Sequence, residues 1–231
     1  DPVRYIANRS SGAQGTAVAA ALRDLGAKVT FVTGPASVPP PEGVAVGGGG
    51  TAAEKRPAGE AGPAADEAGK GAGGERAIEF RVRQRPVEAA LPADVAVMAA
   101  AVADWRVANA GAQKIKKDGS GRLPVLEFAE NPDILAWISK ASQRPALVVG
   151  FAAETEKVVD HATAKRLRKG CDWIVANDVS PATGIMGGSE NAVTVIDAEG
   201  AETWPRMAKD AVARRLAARI ADAVNRVETK G

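Results

Sequence analysis

The sequence predicts an α/β fold, a mostly parallel sheet with helices on both faces. Three observations lead there. Strand-like runs of five to seven residues (KVTFVT, DVAVMAA, ALVVGFA, DWIVA) recur along the chain, and DVAVMAA and ALVVGFA, apolar without alternation, suit strands buried on both sides. Between them lie segments with apolar residues three and four apart, the spacing of amphipathic helices. The two kinds alternate, as they do when a chain winds βα units into one sheet. The expected arrangement is Rossmann-like and doubly wound, and 231 residues suit a single domain.

Each element has its own local reason. Residues 13–25 read as a helix with Val18, Leu22 and Leu25 on one stripe, stopped by Gly26. Residues 28–33 (KVTFVT) form a strand ended by Gly34-Pro35. Residues 47–74 hold 18 Gly or Ala in 28 positions and no Val, Ile, Leu, Met or aromatic residue. Such a stretch buries too little apolar area to offset its ordering entropy, so a disordered surface loop is expected. Residues 77–82 offer a short strand and residues 94–100 (DVAVMAA) a buried one. Pro132, near a first turn, opens a helix over 132–142. A buried strand follows at 146–152, a helix at 155–169 closed by Gly170, and a strand at 172–176. Residues 192–197 and 202–204 flank Ala198-Glu199-Gly200 as a hairpin. Residues 209–227 form a long helix with Leu216, Ile220, Val224 and Val227 on one stripe.

Composition excludes several function classes. One histidine (His161) and one cysteine (Cys171) cannot supply an ordinary zinc site, and a lone cysteine makes no internal disulfide. A Ser-His-Asp triad would need His161, which falls inside a helical pattern. A net charge of +2 is too small to argue for nucleic acid. No apolar run has the roughly 18–20 residues of a membrane span, and no signal peptide opens the chain. The first residue is Asp1, which suggests a piece of a longer translated chain.

In sheets of this kind ligands bind at the carboxyl ends of the strands, and four constellations fall there. Asn8-Arg9-Ser10-Ser11-Gly12-Ala13-Gln14-Gly15 opens the first helix. Its amides and hydroxyls suit a phosphate or carboxylate oxygen, or else form a plain N-cap. Ala99 to Trp105 follows a buried strand with small residues, and Asp104 could accept from ribose hydroxyls or cap a turn. Lys114, Lys116 and Lys117 crowd a Gly-bearing stretch that could close over a phosphorylated ligand or form a solvated charge run. Lys165 and Lys169 share a helix face with Arg166 and Arg168 nearby. That cluster reads as unneutralised, for a polyanion to cover, or as a complement to the helix dipole.

The ordered set of motifs resembles the phosphopantothenoylcysteine synthetase family, usually the second half of a bifunctional bacterial coenzyme A biosynthesis protein. It is carried by residues 1–12 (DPVRYIANRSSG), Gly34-Pro35, 99–105 (AAAVADW), 114–117 (KIKK), 131–135 (NPDIL), 150–155 (GFAAET), Lys165 with Lys169, and Asn177-Asp178-Val179. The resemblance implies a ligase in which CTP activates 4′-phosphopantothenate as an acyl-cytidylate, releasing pyrophosphate. The cysteine amine then attacks and CMP leaves. Such chemistry asks for charge stabilisation and positioning, without a histidine or thiol catalyst.

By the same resemblance Asn8 and Lys114 are catalytic: Asn8 holds the acyl-cytidylate and Lys114 is the flap lysine of activation. Ala99, Ala100, Asp104, Lys114, Pro132, Asp133, Ile134, Leu135 and Phe151 surround the nucleotide, and Lys165 and Lys169 hold its triphosphate. Arg4, Asn8, Ser10, Ser11 and Gly12 bind the other substrate. Mg²⁺ accompanies CTP, no FMN is expected, and the protein is expected to be cytoplasmic and homodimeric, with no nucleic acid or membrane partner. The sequence departs from the family in two places. The family's first strand and Gly-Pro-Thr-rich turn are missing before Asp1, as is the flavin-dependent decarboxylase half, and residues 47–74 look like an insertion. Two other readings stand beside the ligase. One is an NAD(P)-dependent oxidoreductase, although no Gly-x-Gly-x-x-Gly follows a strand; the other is a non-catalytic nucleotide-binding or oligomerisation module.

Overall fold

The computed structural model describes residues 11–33, 36–48, 87–100, 102–109, 113–117, 119–121, 123–180, 183 and 188–228. In chain order its elements are α1 (Ala13–Asp24), β1 (Thr30–Thr33), β2 (Ala45–Gly48), β3 (Val95–Met98), β4 (Trp105–Val107), β5 (Phe128–Glu130) and α2 (Ile134–Ile138). They continue with β6 (Leu147–Glu154), α3 (Val158–Lys169), β7 (Trp173–Asp178), β8 (Glu190–Asn191), β9 (Val193–Ile196), β10 (Ala201–Thr203), β11 (Met207–Ala208) and α4 (Lys209–Glu228).

The main sheet has the order β10-β9-β7-β6-β3. β3, β6 and β7 are parallel; β9 runs against β7, and β10 runs against β9. The described fold is therefore mixed α/β, with β9 alone reversed in its five-stranded sheet. β6 lies next to the edge strand β3 and shows how the faces are divided. Leu147, Val149 and Phe151 join the cluster that holds Val18, Val212, Leu216 and Ile220 of α1 and α4. Val148 and Ala152 join the opposite cluster with Ile138 of α2 and Ala162 of α3. The two-residue period of the strand produces this division. Burial on both sides also explains why the run reads as continuously apolar.

Most predicted elements are present with shifted bounds. α1 ends before Leu25, which is its C-cap and 57% exposed, so Leu25 leaves the predicted stripe. β1 starts at Thr30, two residues later than the sequence suggests. α3 starts at Val158, three residues late, because β6 runs on to Glu154. The largest change is α2, which has five residues instead of the predicted 132–142. Ser139 Oγ donates to the Leu135 carbonyl (2.7 Å), and Arg144 Nε donates to the Ser139 carbonyl (3.0 Å). The Arg144 bond takes up the Ser139 carbonyl that another helical turn would have used, while the Leu135 carbonyl also accepts the helical Ser139 N–H (3.1 Å). The predicted hairpin is formed by β9 and β10, and Leu216 and Ile220 are buried as expected.

Gly47 and Gly48, at the start of the predicted disordered stretch, pair with Val32 and Thr33 in β2. The rest of 47–74 and the predicted strand at 77–82 lie outside the described residues. The antiparallel pair β4–β5 has no counterpart among the predicted elements; it aligns Trp105 with Glu130 and Val107 with Phe128. Among the described residues, no helix is long and apolar enough to cross a membrane.

Candidate functional site

The N-terminus of α1 sits against the segment leaving β3. A Cβ on Gly15 would lie 3.4 Å from the Ala99 Cβ, so small residues on both sides permit the approach. Gly12 has φ +76°, and a Cβ there would come within 3.0 Å of Ala36. Glycine therefore meets both a backbone and a packing requirement at that turn. Ser11 Oγ accepts from the Ala13 N–H at 3.3 Å. Ala99 thus meets the first turn of α1 at Gly15, three residues after Gly12, and Ala100 is exposed. Arg4, Asn8 and Ser10 lie outside the described residues.

A second group gathers on residues 131–135. The Asn131 side-chain amide donates to the Ala103 carbonyl (2.7 Å), and its backbone N–H donates to the Asp104 carbonyl (2.7 Å). Two residues on, Asp133 caps α2 by accepting from the Ala136 N–H (3.0 Å). Its other oxygen accepts from the Lys169 ammonium. Burial opposes the Asp133 charge, but the Lys169 contact, the Ala136 N–H and the nearby Arg168 together hold its pKa below the usual aspartate value. Ile134 and Leu135 pack on the α2–α3 face of the sheet. A Cβ on Gly150 would meet Leu135 at 2.6 Å, so Leu135 rests directly on β6 at a glycine. Asp104, Pro132, Asp133, Ile134, Leu135 and Lys169 are thereby joined through one short segment.

Lys165 meets a carboxylate too. Its ammonium is 3.6 Å from Glu154, the last residue of β6, and His161 Nδ1 is 3.8 Å from the other Glu154 oxygen. Arg166 donates to the Asp172 carbonyl (3.1 Å). The expectation of an unneutralised cluster is corrected here. The two lysines do share a helix face, but strand β6 and the α2 cap each bring a carboxylate to one of them. Next to Glu154, the Val179 N–H donates to the Glu154 carbonyl (2.9 Å), and Asp178 accepts from the Ser180 N–H (2.8 Å). The Ser180 bonds hold the Asp178 pKa below its ordinary value.

Two predicted residues stand apart from these groups. Phe151 packs with the α1–α4 cluster, across the sheet from Leu135. Lys114 is exposed in the connection between β4 and β5. Among the described residues, no three His, Cys, Asp or Glu side chains are grouped so as to hold a metal ion. Sequence reading missed Asn131, Arg106 and Glu154 as members of the site. Only the position of Asn131 and Glu154 inside matching motifs could have drawn attention to them.

The family model described as DNA/pantothenate metabolism flavoprotein C-terminal domain matches residues 1–64 and 81–224. The chain belongs to this family. Among its relatives, the coenzyme A biosynthesis bifunctional protein CoaBC of Vibrio cholerae is 36% identical over 213 residues, covering 92% of this chain and 47% of the relative. The CoaBC protein of Escherichia coli is 36% identical over 217 residues, covering 94% and 47%. The chain thus spans about half the length of these curated relatives. The crystal structure of the C-terminal domain of a CoaBC protein resembles it with a TM-score of 0.65 at 28% identity, covering 97% of this chain and 89% of that one. The fold of this chain is thus similar to that of a solved CoaBC C-terminal domain.

Proposed function

We propose that this chain is a phosphopantothenate–cysteine ligase of coenzyme A biosynthesis. The observation that carries the reading is the ordered run of family motifs within a family match that spans most of the chain. The relatives' names add coenzyme A biosynthesis, and the family match leaves the oxidoreductase reading without support.

In the proposed reaction a carboxylate oxygen of phosphopantothenate attacks the α-phosphorus of Mg·CTP, and pyrophosphate leaves. The cysteine amine then attacks the acyl carbon and CMP leaves with the carbonyl-linked oxygen, giving the amide. Asn8 and Lys114 serve as donors to the charge that develops on phosphate and acyl oxygens. Ser10, Ser11 and Gly12, with Arg4, receive the phosphopantothenate. Ala99, Ala100, Asp104, Pro132, Asp133, Ile134, Leu135 and Phe151 frame the cytidine, and Lys165 and Lys169 the triphosphate. Mg²⁺ enters as part of the nucleotide substrate, and no FMN is used.

The fold reading extends to one doubly wound domain over 1–231. It is supported by the parallel pair β1–β2 and by the packing of Val32 on the α2–α3 cluster. A cytoplasmic homodimer without nucleic-acid or membrane partners completes the proposal. Trp105, Leu123, Val125 and Phe128 expose an apolar surface on and beside the β4–β5 pair, which favours a protein partner there.

The deciding assay is pyrophosphate release from CTP. Release that requires phosphopantothenate, with CMP release requiring cysteine, is the expected result. Lys114→Gln should lower the rate by about 10²-fold. Failure of CTP to support any pyrophosphate release would refute the ligase.

A further inference from the structure

We infer that Asn131 is a positioning residue for the nucleotide: it fixes the backbone that carries Asp104. The identity of the nucleotide rests on the ligase reading, whereas the geometry stands without it. The segment between β3 and β4 carries short apolar side chains up to Asp104. Its side chains at 99–103 are Ala and Val, so Asp104 is its first polar side chain. Asn131, just past β5, anchors it by donating to two successive carbonyls, those of Ala103 and Asp104, each at 2.7 Å.

The orientation of the Asn131 carboxamide is itself determined. Its oxygen accepts from Arg106 Nη1 at 3.4 Å, and the same guanidinium nitrogen donates to the Glu130 carbonyl. A flipped amide would set an oxygen against the Ala103 carbonyl and a nitrogen against the arginine, so only one orientation satisfies both neighbours. Aspartate at 131 would face the Ala103 carbonyl with a second acceptor, and alanine would leave that carbonyl without its donor.

Beyond Asn131 the chain is tied down at once. Pro132 restricts φ, Asp133 caps α2 and accepts from Lys169, and Leu135 rests on Gly150. Movement of Asn131 relative to β6 and α3 is resisted, so the position imposed on Asp104 is set by the main sheet. Asp104 and the lysine-bearing helix thereby gain a common reference, as a site holding both ends of one nucleotide requires.

The test compares Asn131→Ala with Asn109→Ala. Asn109 also bridges this hairpin with two bonds, to the Val125 carbonyl and from the Glu127 N–H, each 3.1 Å, but it does not touch the Asp104 segment. Asn131→Ala should raise KM for CTP about tenfold, the effect of roughly one lost hydrogen bond's worth of positioning. KM for phosphopantothenate and for cysteine, and kcat, should stay within about twofold. Asn109→Ala should change none of them. Asn131→Ser serves the same comparison if Asn131→Ala does not fold. An unchanged KM for CTP, an equal loss toward all three substrates, or the same effect from Asn109→Ala would overturn the inference. If the unsubstituted protein releases no pyrophosphate, the ligase reading falls separately. Calorimetric binding of Mg·CTP then decides: weaker binding for Asn131→Ala alone sustains the inference, and equal binding or none refutes it.

Discussion

Asp133 performs two tasks with its two oxygens, and substitution separates them. One oxygen caps α2 at Ala136 and the other accepts from Lys169. Asp133→Asn keeps a capping acceptor and loses the charge, while Asp133→Ala loses both. The cap contributes about 1 kcal/mol. The ion pair is partly open to water, with Asp133 38% and Lys169 18% exposed, so it contributes only about 0.2–1 kcal/mol. Asp133→Asn should therefore cost about 0.5 kcal/mol and Asp133→Ala about 1.5 kcal/mol. In a chain of this size those costs lower Tm by roughly 1–2 °C and 3–6 °C. The sign of the pH dependence follows from the lowered Asp133 pKa. A carboxylate whose folded pKa is depressed stabilises fully above its unfolded value, near 3.9, and loses that contribution as pH falls through the folded value. The gap between the unsubstituted protein and Asp133→Asn should be constant from pH 7 to about 5 and close below about pH 4. Urea unfolding followed by circular dichroism measures all three proteins. Equal costs for the two substitutions, or a gap that widens on acidification, would refute the division of labour.

Three further outcomes follow from the packing. Gly150→Ala should destabilise by about 1–2 kcal/mol by urea unfolding, because its methyl would lie 2.6 Å from Leu135 and 2.8 Å from the fully buried Ile174. Arg219→Ala should cost about 1–2 kcal/mol in the same measurement; it removes the Asp197 pair (2.7 Å), the Glu202 contact and the stacking over Trp173 at 5.1 Å. Cys171 is 3% exposed and burial raises its thiol pKa, so a thiol reagent at pH 8 should label it only after denaturant is added.

What the sequence makes legible is whatever burial imposes locally. The strands β3, β6 and β7 are flanked on both faces, and each reads as an apolar run. β2 and β4–β5 escape because AVGG ends in two glycines and WRV and FAE are only three residues long, too short for a period to show, and Trp105 and Phe128 face solvent. The helical pattern overextends α2 because Arg144 closes it by donating to the Ser139 carbonyl and to Asp172, 28 residues away, which apolar spacing does not announce. At the candidate site, the motifs fall at or beside the ends of β3, β5, β6 and β7. The pairings between them do not show. Asn131 lies 27 residues from Asp104 and Lys169 lies 36 from Asp133. Such partners are chosen by the register of β4–β5 and the packing of α3, which are set by the fold as a whole.

The two lysines on α3 illustrate how far a charge pattern can be read. Like charges four apart on a helix disfavour each other by a few tenths of a kcal/mol, and an anionic ligand is one way to offset that. The fold supplies another, since Glu154 approaches Lys165 and Asp133 approaches Lys169 in the protein alone. The pattern therefore carries structural weight whatever it binds, and the weights differ. Lys169 is hydrogen-bonded to Asp133 and mostly shielded, whereas Lys165 stands 3.6 Å from Glu154, beyond hydrogen-bond reach, and is 30% exposed. Methionine keeps most of the aliphatic stem and removes only the charge. Lys169→Met should thus lower stability by about 0.5–1 kcal/mol and Lys165→Met by less than about 0.3 kcal/mol. In a double-mutant cycle Asp133→Asn should add little to Lys169→Met, because both remove the same contact. Full additivity with Asp133→Asn would show that the Asp133 pair contributes nothing to stability, and equal losses for the two lysines would refute the ranking drawn from their geometry.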